Sequence, residues 1–434
     1  MPRCSRKIDA FRMNRPPRLL FFTYAFPPAR AIGAVRCWNI AKHLARHGWD
    51  VEVVTIAPEL LTDPQPGVDV RADCMREKIR LRPTGCDWCL LTGGWLKTPP
   101  WQPRLLARVA RRIADWAGID PTAGWISASE RACESLRPGD VDAVFVSAPP
   151  YTGFVAAAHV ARRLQAPLVL DYRDLWSLNP HYTNFAGKKI RRREAELLAA
   201  AQGVTVVSPS MADCLRREFN LTKPLEVVTN GYDTEEFEGI SPEKFDDFAV
   251  VYAGRFYPPG RIAHPLVAAV AQANAGGAQK RPVRLHYFGS DGAHVEGVAA
   301  ELGAGAWVAN HGSVPRKKVL AALLGANAAA VITTVEATAS KAELGILTGK
   351  LFEALGARVP VLLVSPAASD ASRVIRENNL GAAFVGSETA AMARWLVQLR
   401  DEEPGVIGRS VDYSWPQLST RLDDLFRGLI AEKK

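Results

Sequence analysis

The chain of 434 residues is 48% hydrophobic and 23% charged, the composition of a globular protein long enough for two domains with separate cores. A mean hydropathy of −0.05 and the lack of any apolar run of about 20 residues argue against an integral membrane protein. Its 54 basic and 45 acidic side chains leave a net charge of +9, which favours acidic partners such as nucleotide diphosphates or anionic lipid, and no nucleic-acid-binding motif is present.

Residues 1–17 are basic and lack periodicity, so a loose tail is expected, with Met13 a second candidate start. No leader segment is predicted. The 7 cysteines all lie in the first half, and an odd number without a leader fits reduced thiols in the cytoplasm. Cys86 and Cys89 are the one close pair. Zinc would need two more ligands with only Cys74 near, so free thiols are expected.

Leu19–Thr23 is a short apolar run suited to a buried parallel strand. Pro27 and Pro28 forbid helix in the following loop, and Gly33 then precedes a helical pattern. Cys37, Ile40, Ala41, Leu44 and Ala45 share its apolar face, and Gly48 can stop it. Val51–Ile56 is the next strand, completing a βαβ unit with a glycine near the helix start, where a phosphate could approach. From Leu60 to Trp125 the pattern is irregular and rich in tryptophan. Within it, Leu105, Val109, Ile113 and Trp116 line one helical face, with Arg104, Arg108, Arg111 and Arg112 elsewhere. Such a helix either lies on an anionic membrane surface or packs on its own domain.

Ala143–Ser147, Leu168–Asp171, Val204–Val207 and Leu225–Val228 are further strands. Two of them run into polar clusters, Ala148-Pro149-Pro150-Tyr151-Thr152-Gly153 and Asp171-Tyr172-Arg173-Asp174-Leu175-Trp176. Open α/β sheets bind ligands at those strand ends, although Arg173 and Asp174 could equally be engaged in a salt bridge that fixes the loop. Lys188–Arg193 opens a helix with a basic run, either a solvated face or a contact for phospholipid. A turn is expected at Thr229–Asp233, because Asn-Gly tolerates positive φ.

A second strand–helix series begins at Ala249–Tyr252, followed by the loop Gly254–Arg261 and a helix from Pro265. Strands are predicted near Arg284–Phe288, Trp307–Val308, Ala328–Ile332 and Val361–Val364. Before the last of these, a helix is expected over Lys350–Ala357, with Thr348 and Gly349 at its start as a hydroxyl cap and a point of close approach. Leu351, Ala354 and Leu355 form its buried face. Lys350 and Glu353 lie on another face at the anion-attracting end, a pairing suited to a nucleotide's phosphates and ribose hydroxyls. On these residues alone, an ordinary surface lysine and glutamate is the simpler reading.

The run Thr348-Gly-Lys-Leu-Phe-Glu-Ala-Leu-Gly-Ala-Arg-Val-Pro-Val361 resembles the donor-site segment of family 4 retaining glycosyltransferases, in which a similar glutamate binds the ribose of a nucleotide sugar. Other stretches agree with the resemblance. They are Arg36 with His47–Val51, the Ser-x-Pro-Pro and Asp-x-Arg-Asp-x-Trp loops, Asn230-Gly231-Tyr232-Asp233 and Ser369–Asn379. Arg255 matches an arginine that touches the donor diphosphate, and Arg261 stands where the family often has a lysine with the same role. Asn310–Val314 is similar to the turn whose backbone reads the nucleobase.

The resemblance implies two Rossmann-like α/β domains of the GT-B architecture, facing each other across a cleft. The expected divisions are residues 18–235 on the acceptor side, a linker at 236–248, a donor domain at 249–410, and residues 411–434 crossing back to the first domain. It implies transfer from a nucleotide-diphospho-sugar to a glycan, lipid-linked or small-molecule acceptor, with retention, in bacterial polysaccharide or glycoconjugate synthesis. Donor binding is assigned to Gly33, Arg255, Arg261, Val314, Thr348, Gly349, Lys350 and Glu353. Pro149, Tyr151, Arg173 and Asp174 are assigned to the acceptor side, with Arg255, Lys350 and Asp174 taking part in the chemistry. No metal or other cofactor is expected, because no carboxylate-rich site has suitable spacing; the three cations Arg255, Arg261 and Lys350 would neutralise the leaving diphosphate. Two departures from the family pattern stand out. Gly345 occupies the place of a second glutamate, for which Glu343 or the amides of Ile346–Gly349 are possible substitutes. A histidine after the fourth strand is replaced by Ser147-Ala-Pro-Pro150. A nucleotide-sugar epimerase of the same fold and a catalytically silent nucleotide-binding scaffold are the rival readings. An NAD dehydrogenase is weaker for want of close-set glycines.

Overall fold

The structure, a computed structural model, describes residues 15–87, 95–97, 109, 112, 120–179, 187–276, 281–402 and 413–433. The described residues form two parallel sheets, of seven and six strands. In the first, β1 (Arg18–Thr23), β2 (Asp50–Ile56), β3 (Arg80–Thr84), β4 (Ala143–Ala148), β5 (Leu168–Tyr172), β6 (Gly203–Val206) and β7 (Leu225–Val227) run in the order β3-β2-β1-β4-β5-β6-β7. In the second, β8 (Phe248–Ala253), β9 (Val283–Phe288), β10 (Val308–Asn310), β11 (Ala328–Ile332), β12 (Val361–Val364) and β13 (Gly381–Phe384) run in the order β10-β9-β8-β11-β12-β13. Both are doubly wound Rossmann-like sheets, as the alternation of strand and helix patterns predicts.

Helices connect the strands, since parallel neighbours need long crossovers. In chain order the described ones begin with α1 (Ile32–Arg46), α2 (Val70–Arg76), α3 (Gly124–Ala132), α4 (Thr152–Leu164), α5 (Lys188–Ala200) and α6 (Pro209–Phe219). They continue with α7 (His264–Ala273), α8 (Gly292–Glu301), α9 (Arg316–Gly325), α10 (Lys341–Leu344), α11 (Gly349–Ala357), α12 (Asp370–Glu377), α13 (Thr389–Asp401) and α14 (Trp415–Glu432). The second sheet is buried on both faces. Val250 and Tyr252 of β8 pack with Leu266 and Leu396, while Val251 between them packs with Leu320, Phe352 and Ile375 on the other side. Period-two alternation explains this split.

The chain's contacts divide it into two units. One comprises Ser208–Cys214 and Thr229–Leu418, and the other the remaining residues, including Ser419–Lys434. The Asn230-Gly231 stretch, expected to turn through positive φ and close the first domain, has neither residue at positive φ and groups with the second unit, where Asn230 Nδ2 donates to the Leu347 carbonyl at 3.0 Å. The greater part of α14 groups with the first unit. There Trp49 Nε1 donates to Asp423 at 2.6 Å, and Phe426 packs edge-on against Trp49 and Phe145.

Two sequence expectations change. Trp307 ends a 3-10 turn over Gly305–Trp307, and the strand begins only at Val308. Strand β3 and helix α2 arise from the stretch that read as irregular. β3 is held by cross-strand charge instead of an apolar face: Arg80 pairs with Asp50 at 2.8 Å and Arg82 with Glu52 at 2.7 Å. Cys37, Cys74 and Cys133 are buried free thiols, with burial pushing Cys74 up to about 12 and Cys133 up to about 11.

Candidate functional site

Each sheet reverses its strand order once, between β1 and β4 and between β8 and β11. Loops leaving the carboxyl ends of strands on either side of such a reversal part to opposite faces and leave a crevice for a ligand. The residues marked in the sequence gather near these two places, one in each unit.

In the second unit, the loop after β8 is fixed from below by tyrosines of the sheet. Tyr252 hydroxyl donates to the Arg255 carbonyl at 3.1 Å, and Tyr287 hydroxyl donates to the Gly254 carbonyl at 3.0 Å. Asp291 accepts from the Phe256 amide at 2.7 Å. Farther along, Tyr257 and Arg261 exchange two backbone hydrogen bonds of 2.9 Å, and Arg261 Nε donates to the Thr333 carbonyl at 2.8 Å. The guanidinium carbons of Arg255 and Arg261 lie 5.8 and 5.5 Å from the Tyr257 ring centre, within cation–π range. Arg255 is 66% exposed, with Asp291 at 3.9 Å.

Lys350 reaches this loop from the first turn of α11. Its Nζ donates to the Tyr252 hydroxyl at 3.0 Å and to the Arg255 carbonyl at 3.2 Å, and lies 4.4 Å from the Tyr252 ring centre. Gly254, at φ +117°, makes room for it: a Cβ there would come within 2.4 Å of Lys350 Cε. Burial, followed by the neighbouring Arg261 charge, pushes the Lys350 ammonium down from 10.5 to about 7; Glu353 and Asp291 act the other way. An ammonium so placed, beside the start of α11, is suited to an anionic ligand.

The other donor-side residues lie around α11. Thr348 occupies the N-cap position, but its hydroxyl makes no cap hydrogen bond and its Oγ1 is buried without a partner, contrary to the capping expectation. Gly349 opens the helix. Glu353 accepts from Arg316 Nη1 at 2.7 Å, and the same guanidinium donates through Nη2 to Glu236 at 2.5 Å. Sequence reasoning missed Arg316, which carries no local signal. Val314 packs against the cluster that contains Leu351 and Phe352, after a turn in which Gly312 has φ +65°. Gly345 has no space for a side chain, because a Cβ would lie 2.7 Å from Ser208 Oγ. Glu343 closes a capping box with Ser340, accepting from its amide at 2.8 Å, which gives that carboxylate a structural task.

In the first unit a buried ion pair underlies the corresponding loops. Arg36 Nη2 donates to Asp171 at 2.8 Å and to the Val228 carbonyl at 3.0 Å, and Asp171 also accepts from Ser147 at 2.6 Å and Thr205 at 2.7 Å. The saturated carboxylate ties together the ends of β4, β5 and β6. Gly33 lies inside the first turn of α1 and not ahead of it. The space beside it is filled by Arg173, whose Nη1 would be 1.5 Å from a Cβ at that position. Arg173 also donates to the Pro149 carbonyl. Tyr151 donates to the Asp174 carbonyl at 2.8 Å and stacks on Trp176 at 4.7 Å, and the Asp174 side chain is exposed. Gly33, Pro149 and Arg173 are thus brought together, as are Tyr151 and Asp174. Behind them, burial raises the Glu194 carboxyl, which accepts from the Ser177 amide at 3.0 Å.

Arg104, Arg108 and Arg111 of the basic amphipathic stretch lie outside the described residues, as do Cys4, Cys89, Met13 and most of the tail. Lys188–Arg193 lies in α5 and is largely exposed, with Arg191 paired to Glu218 at 2.7 Å. Among the described residues, no helix is long and apolar enough to cross a membrane.

Residues 33–236 match the model of Glycosyltransferase Family 4. No curated protein matches in sequence. Several solved structures share the two-sheet GT-B architecture. Sucrose-phosphate synthase from Thermosynechococcus elongatus is similar with a TM-score of 0.67 and 16% identity, over 96% of this chain and 100% of that one. HepE from Anabaena, in complex with UDP and glucose, gives 0.59 and 13% over 95% and 100%. A putative UDP-N-acetylglucosamine 2-epimerase from Listeria monocytogenes gives 0.56 and 12% over 96% and 97%. At these identities the likeness is one of fold.

Proposed function

We propose, for a chain whose residues 33–236 match the model of Glycosyltransferase Family 4, that it transfers a sugar from a nucleotide-diphospho-sugar donor with retention of configuration. The observation that carries the reading is the Lys350 ammonium, held over Gly254 beside Arg255 at the strand-order reversal of the second sheet. In this reading Lys350, Arg255 and Arg261 receive the diphosphate, Glu353 the ribose hydroxyls, and the turn ending at Val314 the base. The amides after Thr348, beginning at Gly349, complete the phosphate contacts. No metal or cofactor takes part. The HepE complex, which holds UDP and glucose on a related fold, supports a nucleotide sugar as donor.

The bond between the sugar's anomeric carbon and the diphosphate oxygen breaks. The acceptor oxygen bonds to that carbon from the same face, and its proton passes to the departing diphosphate. Charge grows on the diphosphate as the bond opens, and cations fixed there stabilise that state more than the ground state. Pro149, Tyr151, Arg173 and Asp174 form the acceptor side, with Gly33 near the donor and Asp174 orienting the attacking hydroxyl. The acceptor is a glycan, lipid-linked or small-molecule hydroxyl of bacterial polysaccharide or glycoconjugate synthesis. Exposed Lys188–Arg193 would bring the enzyme to the anionic cytoplasmic face of a membrane, each basic group contributing about 1 kcal/mol.

Thermal melts with UDP, GDP and NAD test the reading. Ligand at about a hundred times its dissociation constant adds about 2.7 kcal/mol of stability, and a nucleoside diphosphate is expected to give the larger rise. A larger response to NAD overturns the proposal. Conversion of a UDP-sugar to an isomer with no acceptor present would assign the site to an epimerase instead.

A further inference from the structure

The Arg316 guanidinium stands between two carboxylates, giving one nitrogen to each: Nη1 to Glu353 Oε1 at 2.7 Å and Nη2 to Glu236 Oε2 at 2.5 Å. Neither pairing is the two-bond fork that arginine makes when it simply neutralises one acid. The three side chains come from three different elements. Arg316 begins α9, Glu236 lies in the 3-10 turn Thr234–Phe237, and Glu353 lies in α11. The turn is itself pinned. Asp233, buried, accepts from the Glu235 amide at 3.1 Å, and Phe237 packs so closely on α11 that a Cβ at Gly356 would come within 2.6 Å of its ring. Gly356 is three residues beyond Glu353 and so shares its helix face. Arg316 is only 31% exposed, Glu236 28% and Glu353 15%, so the triad is sheltered from solvent screening.

We infer that Arg316 is a positioning residue: by taking one oxygen of Glu353 and anchoring itself on Glu236, it fixes the Glu353 carboxylate so that the second oxygen meets the ribose hydroxyls of a nucleoside diphosphate. This rests on the assignment of Glu353 to the ribose. An unheld glutamate would lose side-chain freedom on binding, a cost that a carboxylate already fixed by a charged hydrogen bond avoids. The consequence is selectivity for the sugar hydroxyls and not for the phosphates.

The probes are UDP, 2′,3′-dideoxy-UDP and inorganic pyrophosphate, with affinities measured by calorimetry on wild type, Glu353→Gln, Arg316→Met, Arg316→Lys and Glu236→Gln. Wild type is expected to prefer UDP over its dideoxy analogue at least tenfold. Glu353→Gln and Arg316→Met should each bring that ratio close to one while leaving pyrophosphate affinity within about twofold, a split that general loosening of the fold would not produce. Arg316→Lys and Glu236→Gln, which keep a cation beside Glu353, should restore part of the ratio, and they serve as the folded comparison if Arg316→Met melts early. A ratio that collapses in Glu353→Gln yet persists in Arg316→Met and in Arg316→Lys overturns the inference and leaves the ribose assignment standing. A ratio unchanged in Glu353→Gln removes the assignment itself, and the inference with it.

Discussion

Replacing Lys350 by glutamine should change the pH dependence of anion binding, and the structure sets the size of the effect. Burial and the Arg261 charge hold the ammonium near 7 in the ligand-free protein. A diphosphate favours the charged form, so binding requires the lysine to take up a proton whenever the solution is more alkaline than that. The apparent dissociation constant then scales as one plus the ratio of neutral to charged lysine. Between about pH 6.5 and about pH 8.5 this factor grows roughly 25-fold if the neutral form contributes nothing. The assay is calorimetric titration with UDP across that range, with Lys350→Gln as baseline, since the ligand's own phosphate ionisation is common to both proteins. Wild type should weaken with rising pH and the variant should stay comparatively flat. At about pH 8, wild type should also take up close to one proton per UDP, read from buffers of differing ionisation enthalpy. The stability of the free protein carries the opposite sign. A lysine whose folded-state value lies near 7 against 10.5 binds fewer protons folded than unfolded, so stability rises with pH across that window. Parallel binding profiles for wild type and Lys350→Gln, with no proton uptake, would refute the reasoning.

Three further outcomes are expected. Gly254→Ala forces a side chain into φ +117° and onto Lys350 Cε at 2.4 Å, so it should cost about 1–3 kcal/mol in a denaturant melt and weaken UDP binding together with it; an unchanged melt and affinity would show that the loop adapts freely. Arg36→Met leaves Asp171 buried without its cation, and a loss of about 3–5 kcal/mol of stability is expected in the same assay. Arg255→Ala should lower turnover of a donor sugar by roughly a hundredfold, with Arg255→Lys recovering part, because a point charge lacks the bidentate geometry of a guanidinium; near-normal turnover at saturating donor would make Arg255 structural only.

The sequence alone determined the layer architecture. Leu19–Phe22, Ala143–Val146 and Val361–Val364 are continuous apolar runs, and such runs separated by helical patterns have few alternatives to a doubly wound parallel sheet. Glycine, proline and charge at the ends of apolar strands drew attention to Lys350, Glu353 and the loop at Arg173, and the resemblance to family 4 glycosyltransferases assigned them, with Arg255, to a nucleotide-sugar site. Local signals extend only about four residues. That Gly33 serves Arg173, that Gly254 serves Lys350, and that Arg316 bridges Glu236 and Glu353 depend on chain segments meeting after folding, so nothing in their neighbours announced them. Strand β3 escaped notice for a related reason: charge pairs with β2 hold it, and a charged segment becomes a strand only once its partner is in place. The acidity of Lys350 is likewise a tertiary property. Its lysine is ordinary as a residue type; burial beside Tyr252 removes the water that would keep it charged and the nearby Arg261 charge repels it, and no sequence period encodes either.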